Sequence, residues 1–124
     1  VALPEGNERS VTERYSETAD RVLVDAPCSG WGVLRRNPDQ KWRQELAAYP
    51  RLQQLQSRLL DLYSGLVKKG GVVTYGVCTF RLEETTKQAA AFLERHPEFE
   101  NIGGGYFGPG PSDGFYMHAF RRKE

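Results

Sequence analysis

Short apolar runs and longer amphipathic stretches alternate along the chain. Residues 21–24 (RVLV) and 71–77 (GVVTYGV) are apolar runs, and such runs are typical of strands that are buried on both faces of a parallel sheet. Residues 99–102 predict a further short strand, and residues 115–121 (FYMHAFR) predict the last one. The intervening residues 103–114 (GGGYFGPGPSDG) are rich in glycine and proline and predict a loop.

Two helices are predicted between these strands. The first has Pro50 in its opening turn and then carries a stripe of leucines at steps of three and four residues, namely Leu52, Leu55, Leu59, Leu62 and Leu66. The stripe is too short for a coiled coil and predicts packing against a sheet. The last turn would hold Lys68 and Lys69, with Gly70 and Gly71 as the stop. The second helix is predicted from about Glu83 to Arg95, with Ala89, Phe92 and Leu93 on its buried side.

The order of these elements predicts an α/β fold. Strands that alternate with helices form βαβ units, and such units build a mostly parallel sheet. Residues 1–19 show no sustained periodicity and are predicted as a lead-in segment with at most a short helical turn. Residues 20–124 are predicted as one domain, which the length of 124 residues allows.

Composition indicates the cellular location of the protein but does not identify its function. The net charge is +1, so a nucleic-acid partner would have to be met by a local patch of charge. No apolar run is long enough to cross a membrane, and the polar first residues lack a signal-peptide pattern, so a cytoplasmic location is expected. The two cysteines, Cys28 and Cys78, are then expected to be free thiols.

The candidate chemistry lies where the first two strands end. Asp25 and Cys28 follow one apolar run and Cys78 follows the next, so both thiols are predicted at one rim of the sheet, where α/β proteins bind their ligands. Other interpretations remain for each residue. Free cysteines are often small buried apolar groups, and an aspartate before a turn can serve as an Asx-turn or helix cap.

Three quoted segments resemble a known family. DAPCSG (25–30), GGVVTYGVCTF (70–80) and DGFYMHAFRRK (113–123) are similar to the NOL1/NOP2/Sun family of RNA cytosine-5 methyltransferases, and most of all to its bacterial 16S rRNA enzymes. The similarity runs from about Ala19 to Lys123. It implies a Rossmann-like sheet, S-adenosyl-L-methionine as methyl donor, and ribosomal RNA as substrate.

The resemblance also implies roles for individual residues. Cys78 would be the nucleophile that adds to C6 of cytosine and so makes C5 reactive, because cytosine C5 is too weak a nucleophile by itself. Cys28 would assist release of the covalent adduct. Asp25 would contact the methyl donor and help hold the cytosine, and Pro27 would stiffen the turn at this cofactor-binding position.

A basic and aromatic stretch is the candidate RNA contact. Its cations could hold phosphates and its aromatics, Trp31 and Trp42, could stack on bases; the cations are Arg35, Arg36, Lys41 and Arg43. The alternative is a solvated loop with one tryptophan in the core. A paired base could not reach a thiol, so the target cytosine would be unpaired or flipped out.

The resemblance covers only part of a methyltransferase. The glycine-rich donor loop of the family has no counterpart before Cys28, so the chain resembles the C-terminal half of the catalytic domain and is expected to be inactive by itself. The last strand would lie antiparallel within the sheet. The strand that holds Val22 and Val24 would be an exposed edge, which predicts self-association or pairing with a missing N-terminal half.

Two rival functions stay open. One is a non-catalytic RNA-binding or protein-interaction module that keeps this half-fold. The other is a thiol redox protein, although the chain has no C-x-x-C motif. A metal site is not predicted, because His96 and His118 do not combine with the cysteines in a zinc-binding spacing.

Overall fold

A four-stranded sheet forms the centre of the protein. The structure is a computed structural model that describes residues 8–34, 36, 38–39, 48–108 and 113–124. The strands lie in the order β1-β2-β4-β3 and comprise β1 (Ala19–Asp25), β2 (Val67–Val77), β3 (Phe99–Phe107) and β4 (Phe115–Arg122). β1 pairs parallel to β2, whereas β4 is antiparallel to both of its neighbours. The predicted sheet, mostly parallel with the last strand inserted antiparallel, is confirmed.

Helices connect the strands as βαβ units. They are α1 (Glu8–Arg14), α2 (Tyr49–Ser64) and α3 (Thr86–Arg95), with short 3-10 helices at Trp31–Val33 and Leu82–Glu84. α2 links β1 to β2, and α3 links β2 to β3. α1 is a helix of 7 residues within the predicted lead-in segment. None of the helices in the described ranges is both long enough and apolar enough to span a membrane.

The core lies between the helices and one face of the sheet. Leu60 of α2 and Phe92 of α3 are fully buried against Val73 and Phe120 of the central strands. The Phe92 ring lies 4.7 Å from the Phe120 ring and 5.2 Å from the Phe99 ring, measured between centroids. Burial of each such side chain stabilises the fold by about 1.5–3 kcal/mol, so this face holds the sheet together.

The opposite face of the sheet is open. β1 was predicted to be buried on both faces, but Leu23 is 65% exposed, so β1 is buried on one face only. Phe115 and Met117 of β4 are also exposed. β1 is an outer strand of the sheet, as predicted for the strand that holds Val22 and Val24.

The end of α2 and its buried face differ from the prediction. α2 ends at Ser64, and Lys68 and Lys69 lie in an irregular start of β2. Gly70 has a φ of 79°, so its left-handed backbone serves a strand irregularity and not a helix cap. The buried positions of α2 are Tyr49, Gln56, Leu60 and Ser64, whereas the predicted stripe is only partly buried and its Leu62 is exposed. The buried face of α2 is rotated away from the leucine stripe because Gln56 lies inward, where its amide nitrogen donates to the Pro27 carbonyl and to the Glu84 carboxylate.

β3 is longer than predicted. The run Gly103–Gly105, predicted as a loop, continues the strand to Phe107 and pairs with β4. A side chain at Gly104 would place its Cβ 2.4 Å from the His118 ring. Gly104 therefore lets β3 approach that ring, which a composition-based loop prediction does not foresee.

Candidate active site

The two cysteines meet at one end of the sheet. Cys28 lies on the turn that follows β1, and Cys78 directly follows β2. Because Asp25 pairs with Gly76, the two parallel strands end side by side, and their following turns leave the sheet together. The two Sγ atoms are 3.2 Å apart, and both side chains are partly buried. The predicted common rim is therefore observed.

The backbone fastens the Cys78 turn from one side. The Gly32 amide donates to the Cys78 carbonyl at 2.8 Å, and the Gly114 amide donates to the Gly32 carbonyl at 2.8 Å. A Cβ on Gly32 would lie 2.0 Å from the Gly114 carbonyl oxygen. Only glycine fits this position without a backbone shift, so the approach of the three segments depends on it.

The thiols form a pair that favours one thiolate. The Cys28 thiol hydrogen-bonds Cys78 and lowers the pKa of Cys78 to about 7, with burial and Asp25 acting against the shift and Arg36 in its favour. The same hydrogen bond, together with burial, raises the pKa of Cys28 above its ordinary value. Cys78 is therefore the more acidic thiol of the pair.

A buried polar cluster lies beside the thiols. Its members Ser29 and Thr79 each follow one of the cysteines, and their hydroxyl oxygens are 2.8 Å apart. Glu84, fully buried in the 3-10 helix after β2, accepts hydrogen bonds from the Ser29 amide at 2.8 Å and the Ser29 hydroxyl at 2.7 Å. The sequence does not predict this cluster, because an acid near a helix start ordinarily faces solvent.

Asp25, the last residue of β1, and Pro27, on the turn that follows, are both exposed. Asp25 borders an open cleft with Leu23, Gly76, Phe115 and Met117. The carbonyl of Pro27 accepts a hydrogen bond from Gln56 Nε2 at 2.8 Å, which ties the turn to α2. The described residues thus offer a carboxylate and apolar walls but no glycine-rich turn after β1, so they fit only part of a nucleotide-like methyl donor.

Most of the predicted RNA contacts lie outside the described residues, namely Arg35, Lys41 and Arg43, together with Trp42. Arg36 is described; it is exposed and its guanidinium lies 2.7 Å from the Asp113 carboxylate. Trp31 is partly buried, and its indole nitrogen donates to the Tyr49 hydroxyl at 3.1 Å. Arg36 is therefore the one member of the predicted set that the described residues place near the thiols, since its charge acts on Cys78.

The histidines lie away from the thiols and have protein partners. His96 contacts Asp61 at 2.8 Å and Glu98 at 2.9 Å. His118 contacts Asn101 at 2.6 Å and Tyr116 at 2.7 Å. Across the described ranges, no group of three or more His, Cys, Asp or Glu side chains is arranged to hold a metal ion.

The fold and the thiol pair define an α/β domain of the Rossmann-like methyltransferase type. The crystal structure of PH0851 is 32% identical, with a TM-score of 0.83 over 86% of this chain and 27% of that one. NSun6 from Pyrococcus horikoshii with SFG is 21% identical, with a TM-score of 0.79 over 100% of this chain and 35% of that one, and shares the fold.

The family described as 16S rRNA methyltransferase RsmB/F matches residues 2–115, and the chain belongs to this family. Ribosomal RNA small subunit methyltransferase B of Yersinia pseudotuberculosis is 48% identical over 79 residues, which are 64% of this chain. Those residues span 18% of that relative's length. The family resemblance drawn from the sequence is confirmed, although the match covers a small part of the relatives.

Proposed function

We propose that this chain carries the thiol half of the active site of an S-adenosylmethionine-dependent cytosine-5 methyltransferase that acts on small-subunit ribosomal RNA. The observation that carries the proposal is the 3.2 Å approach of the Cys28 and Cys78 sulfurs at the ends of two parallel strands. Membership of the RsmB/F family supports the same chemistry. The chain spans less than a fifth of its curated relatives' length, so the activity is proposed for a larger assembly of residues.

The opposite pKa shifts of the two thiols support different roles for Cys78 and Cys28. The Cys78 thiolate adds to C6 of cytosine, and the ring electrons then make C5 nucleophilic. After C5 is methylated and loses its proton to a base, the C6–S bond breaks and its electron pair returns to the Cys78 sulfur. Cys28, already a donor to that sulfur, stabilises the departing thiolate and so assists release.

S-adenosylmethionine supplies the methyl group when it is bound, and SFG, found with the P. horikoshii NSun6 structure, is an analogue of it. We propose that Asp25 and Pro27 lie at the edge of this donor site, since Asp25 is exposed at the end of β1 and Pro27 is exposed on the turn that carries Cys28. The cleft beside Asp25 is open and lacks a glycine-rich turn among the described residues. The remainder of the donor site must therefore come from residues outside the described ranges.

The substrate is an RNA cytosine that is unpaired or flipped out, because a stacked and paired ring could not reach the Cys78 sulfur. Arg36 is the described candidate for a phosphate contact near the thiols, and Arg35, Lys41 and Arg43 remain candidates by sequence alone. Arg36 would exchange its ion pair with Asp113 for a phosphate oxygen.

The open face of the sheet is proposed to be covered by the N-terminal half of the methyltransferase domain. The exposed Leu23 lies on β1, whose outer edge has no strand partner among the described residues, and the exposed Phe115 and Met117 lie on β4, with β2 between the two strands. Exposed apolar side chains next to a free strand edge are suited to strand pairing and helix packing. The N-terminal half of a methyltransferase domain would supply both, and self-association through the same edge is the alternative that the oligomeric state tests.

The function is tested in a chimera. The aligned residues of the Yersinia pseudotuberculosis relative are replaced by those of this chain, and transfer of labelled methyl groups from S-adenosylmethionine to small-subunit rRNA is measured. We expect methylation by the chimera, none after Cys78→Ala, and a covalent protein–RNA complex that survives denaturing electrophoresis after Cys28→Ala.

The unaltered relative is the positive control for RNA and donor quality. A Cys78→Ala chimera that still methylates cytosine would reject the nucleophile assignment. A chimera with both cysteines that binds rRNA but transfers no methyl group would instead favour a non-catalytic RNA-binding module.

A further inference from the structure

One buried carboxylate connects the turns that carry the two thiols. Glu84 has no exposed surface, and both of its carboxylate oxygens accept hydrogen bonds. Oε1 accepts from the Ser29 amide at 2.8 Å and from Gln56 Nε2 at 3.1 Å. Oε2 accepts from the Ser29 hydroxyl at 2.7 Å and from an Arg81 guanidinium nitrogen at 3.3 Å. The Thr79 hydroxyl also lies 3.5 Å from Oε2, and all five contacts come from groups that can donate, which is the partner set of a carboxylate.

The hydrogen bonds continue from the carboxylate to the second turn. The Ser29 hydroxyl gives its only proton to Glu84, so in its contact with Thr79 it acts as the acceptor. Thr79 therefore donates to Ser29 at 2.8 Å. Ser29 follows Cys28 and Thr79 follows Cys78 in the chain, so this hydroxyl contact, together with the longer Thr79–Glu84 contact of 3.5 Å, joins the residues adjacent to both thiols.

Gln56 links the same carboxylate to the other side of the Cys28 turn. Gln56 of α2 donates through Nε2 both to Glu84 and to the Pro27 carbonyl, the latter at 2.8 Å. The Cys28 turn is thus bonded on both sides of the cysteine, at Pro27 and at Ser29. The cluster fixes where the Cys28 sulfur can lie relative to the Cys78 sulfur.

Stability alone does not account for this arrangement. Removing a buried charge from water costs several kcal/mol, and apolar residues of similar size often replace buried ionic groups without loss of stability. The cluster does what apolar packing does not, since directional hydrogen bonds fix the spacing of two turns to within tenths of an ångström.

We propose that Glu84 is a positioning residue that holds the Cys28 turn against the Cys78 turn, so that the two sulfurs stay within hydrogen-bonding distance. Its importance for methylation rests on the proposed function. Its test does not, because thiol reactivity is measured without RNA or methyl donor.

The test measures the alkylation rate of Cys78 by iodoacetamide against pH, with the modified residue assigned by mass spectrometry. If Glu84→Gln loosens the Cys28 turn without detaching it, Cys78 keeps only part of the hydrogen bond that is the main cause of its lowered pKa, so the effect should be smaller than that of removing Cys28. We expect the midpoint of the profile to rise by about one pH unit. Ser29→Ala and Thr79→Val, which each remove one hydroxyl of the bridge, should move the midpoint in the same direction by less.

Phe92→Leu is the control for loss of stability. Phe92 is fully buried and packs on Phe99 and Phe120, with no contact to the thiol turns among its ring neighbours. It should lower stability and leave the midpoint of Cys78 in place. A midpoint that moves equally in Phe92→Leu would show a general loosening and reject the positioning role.

The outcome is decided by the two milder variants if Glu84→Gln fails to fold. Unchanged profiles in both Ser29→Ala and Thr79→Val would overturn the proposal, and an upward shift in either would support it. A chimera that cannot methylate RNA would count against the proposed function but leave this thiol profile unaffected, so the two ideas fail separately.

Discussion

Replacement of Cys28 by alanine tests the thiol pair directly. The pKa of Cys78 is lowered to about 7 mainly because the Cys28 thiol hydrogen-bonds its sulfur at 3.2 Å. Alanine removes that donor and leaves the partial burial of Cys78, which acts in the opposite direction. The pKa of Cys78 should therefore rise toward its ordinary value of 9.0.

The size of the effect follows from the two pKa values. At pH 7 a thiol with a pKa of about 7 is about half thiolate, and one with a pKa of 9.0 is about 1% thiolate, a loss of about 50-fold. A more basic thiolate is also the better nucleophile, by about eightfold over this range. The alkylation rate at pH 7 should then fall by about sixfold, while the midpoint of the profile rises by about two pH units.

The assay is iodoacetamide alkylation between pH 5 and pH 10, followed by mass spectrometry that separates the two cysteines. Cys28→Ser is the matched variant, because its hydroxyl is still a donor; its midpoint should lie between those of the parent chain and Cys28→Ala. Cys78→Ala gives the background rate of Cys28, whose pKa loses the effect of the hydrogen bond with Cys78 in this variant and stays raised by burial alone. An unchanged Cys78 midpoint in Cys28→Ala would refute the hydrogen-bond explanation.

Three further predictions concern the surrounding structure. Gly32→Ala would press a Cβ to 2.0 Å from the Gly114 carbonyl oxygen and should lower the free energy of unfolding by about 1–3 kcal/mol in urea titration, whereas Gly65→Ala, with its nearest atom at 3.4 Å, should change it little. Phe92→Ala should cost about 3–5 kcal/mol in the same assay, and a loss below 1 kcal/mol would contradict its place in the core. Burial lowers the pKa of His118, so its contribution to stability is complete above its unfolded pKa and is lost as the pH falls through the folded value. His118→Asn should accordingly show a smaller drop in stability between pH 7 and pH 5 than the parent chain, and equal drops would argue against this assignment.

The pattern of apolar runs was sufficient for β1 and β2 and for the meeting of the two thiols. Apolar runs that end at Asp25 and at Val77 mark two strands, and parallel strands with adjacent ends bring their following turns together. This inference needs only the run lengths and the position of the turn residues. The roles of Cys78, Cys28, Asp25 and Pro27 are a different matter, because they came from the family resemblance and remain predictions.

The sequence could not separate Glu84 from its neighbour. Glu83 and Glu84 both stand near the start of the second predicted helix, where acids ordinarily face solvent and the positive end of the helix. Glu83 is partly exposed, whereas Glu84 is fully buried. Its carboxylate accepts hydrogen bonds there from Ser29, Gln56 and Arg81. Two of these donors come from distant segments, so no local pattern reveals the difference.

The same limit explains why the predicted leucine stripe of α2 is only partly buried. The leucines of α2 repeat at helical spacing, but Gln56 and Ser64 lie deeper than Leu62. Hydrophobic periodicity assumes that the buried partner is apolar. Here part of that partner is a polar cluster, and Gln56 lies inward because its amide is needed there.

The thiol turns of the proposed enzyme are held by hydrogen bonds within this chain, whereas the neighbouring surfaces are open. Among the described residues, the thiol pair is held by hydrogen bonds from the Gly32 amide to the Cys78 carbonyl and from the Ser29 amide to the Glu84 carboxylate. By contrast, the cleft beside Asp25 and the face around Leu23 are open. The reactivity of the sulfur is thus a local property of this chain, whereas the choice of donor and RNA depends on surfaces that further residues must complete. A substitution in the Glu84 cluster should therefore change the chemistry of any cytosine that is bound, and a substitution on the open face should change which RNA or donor binds.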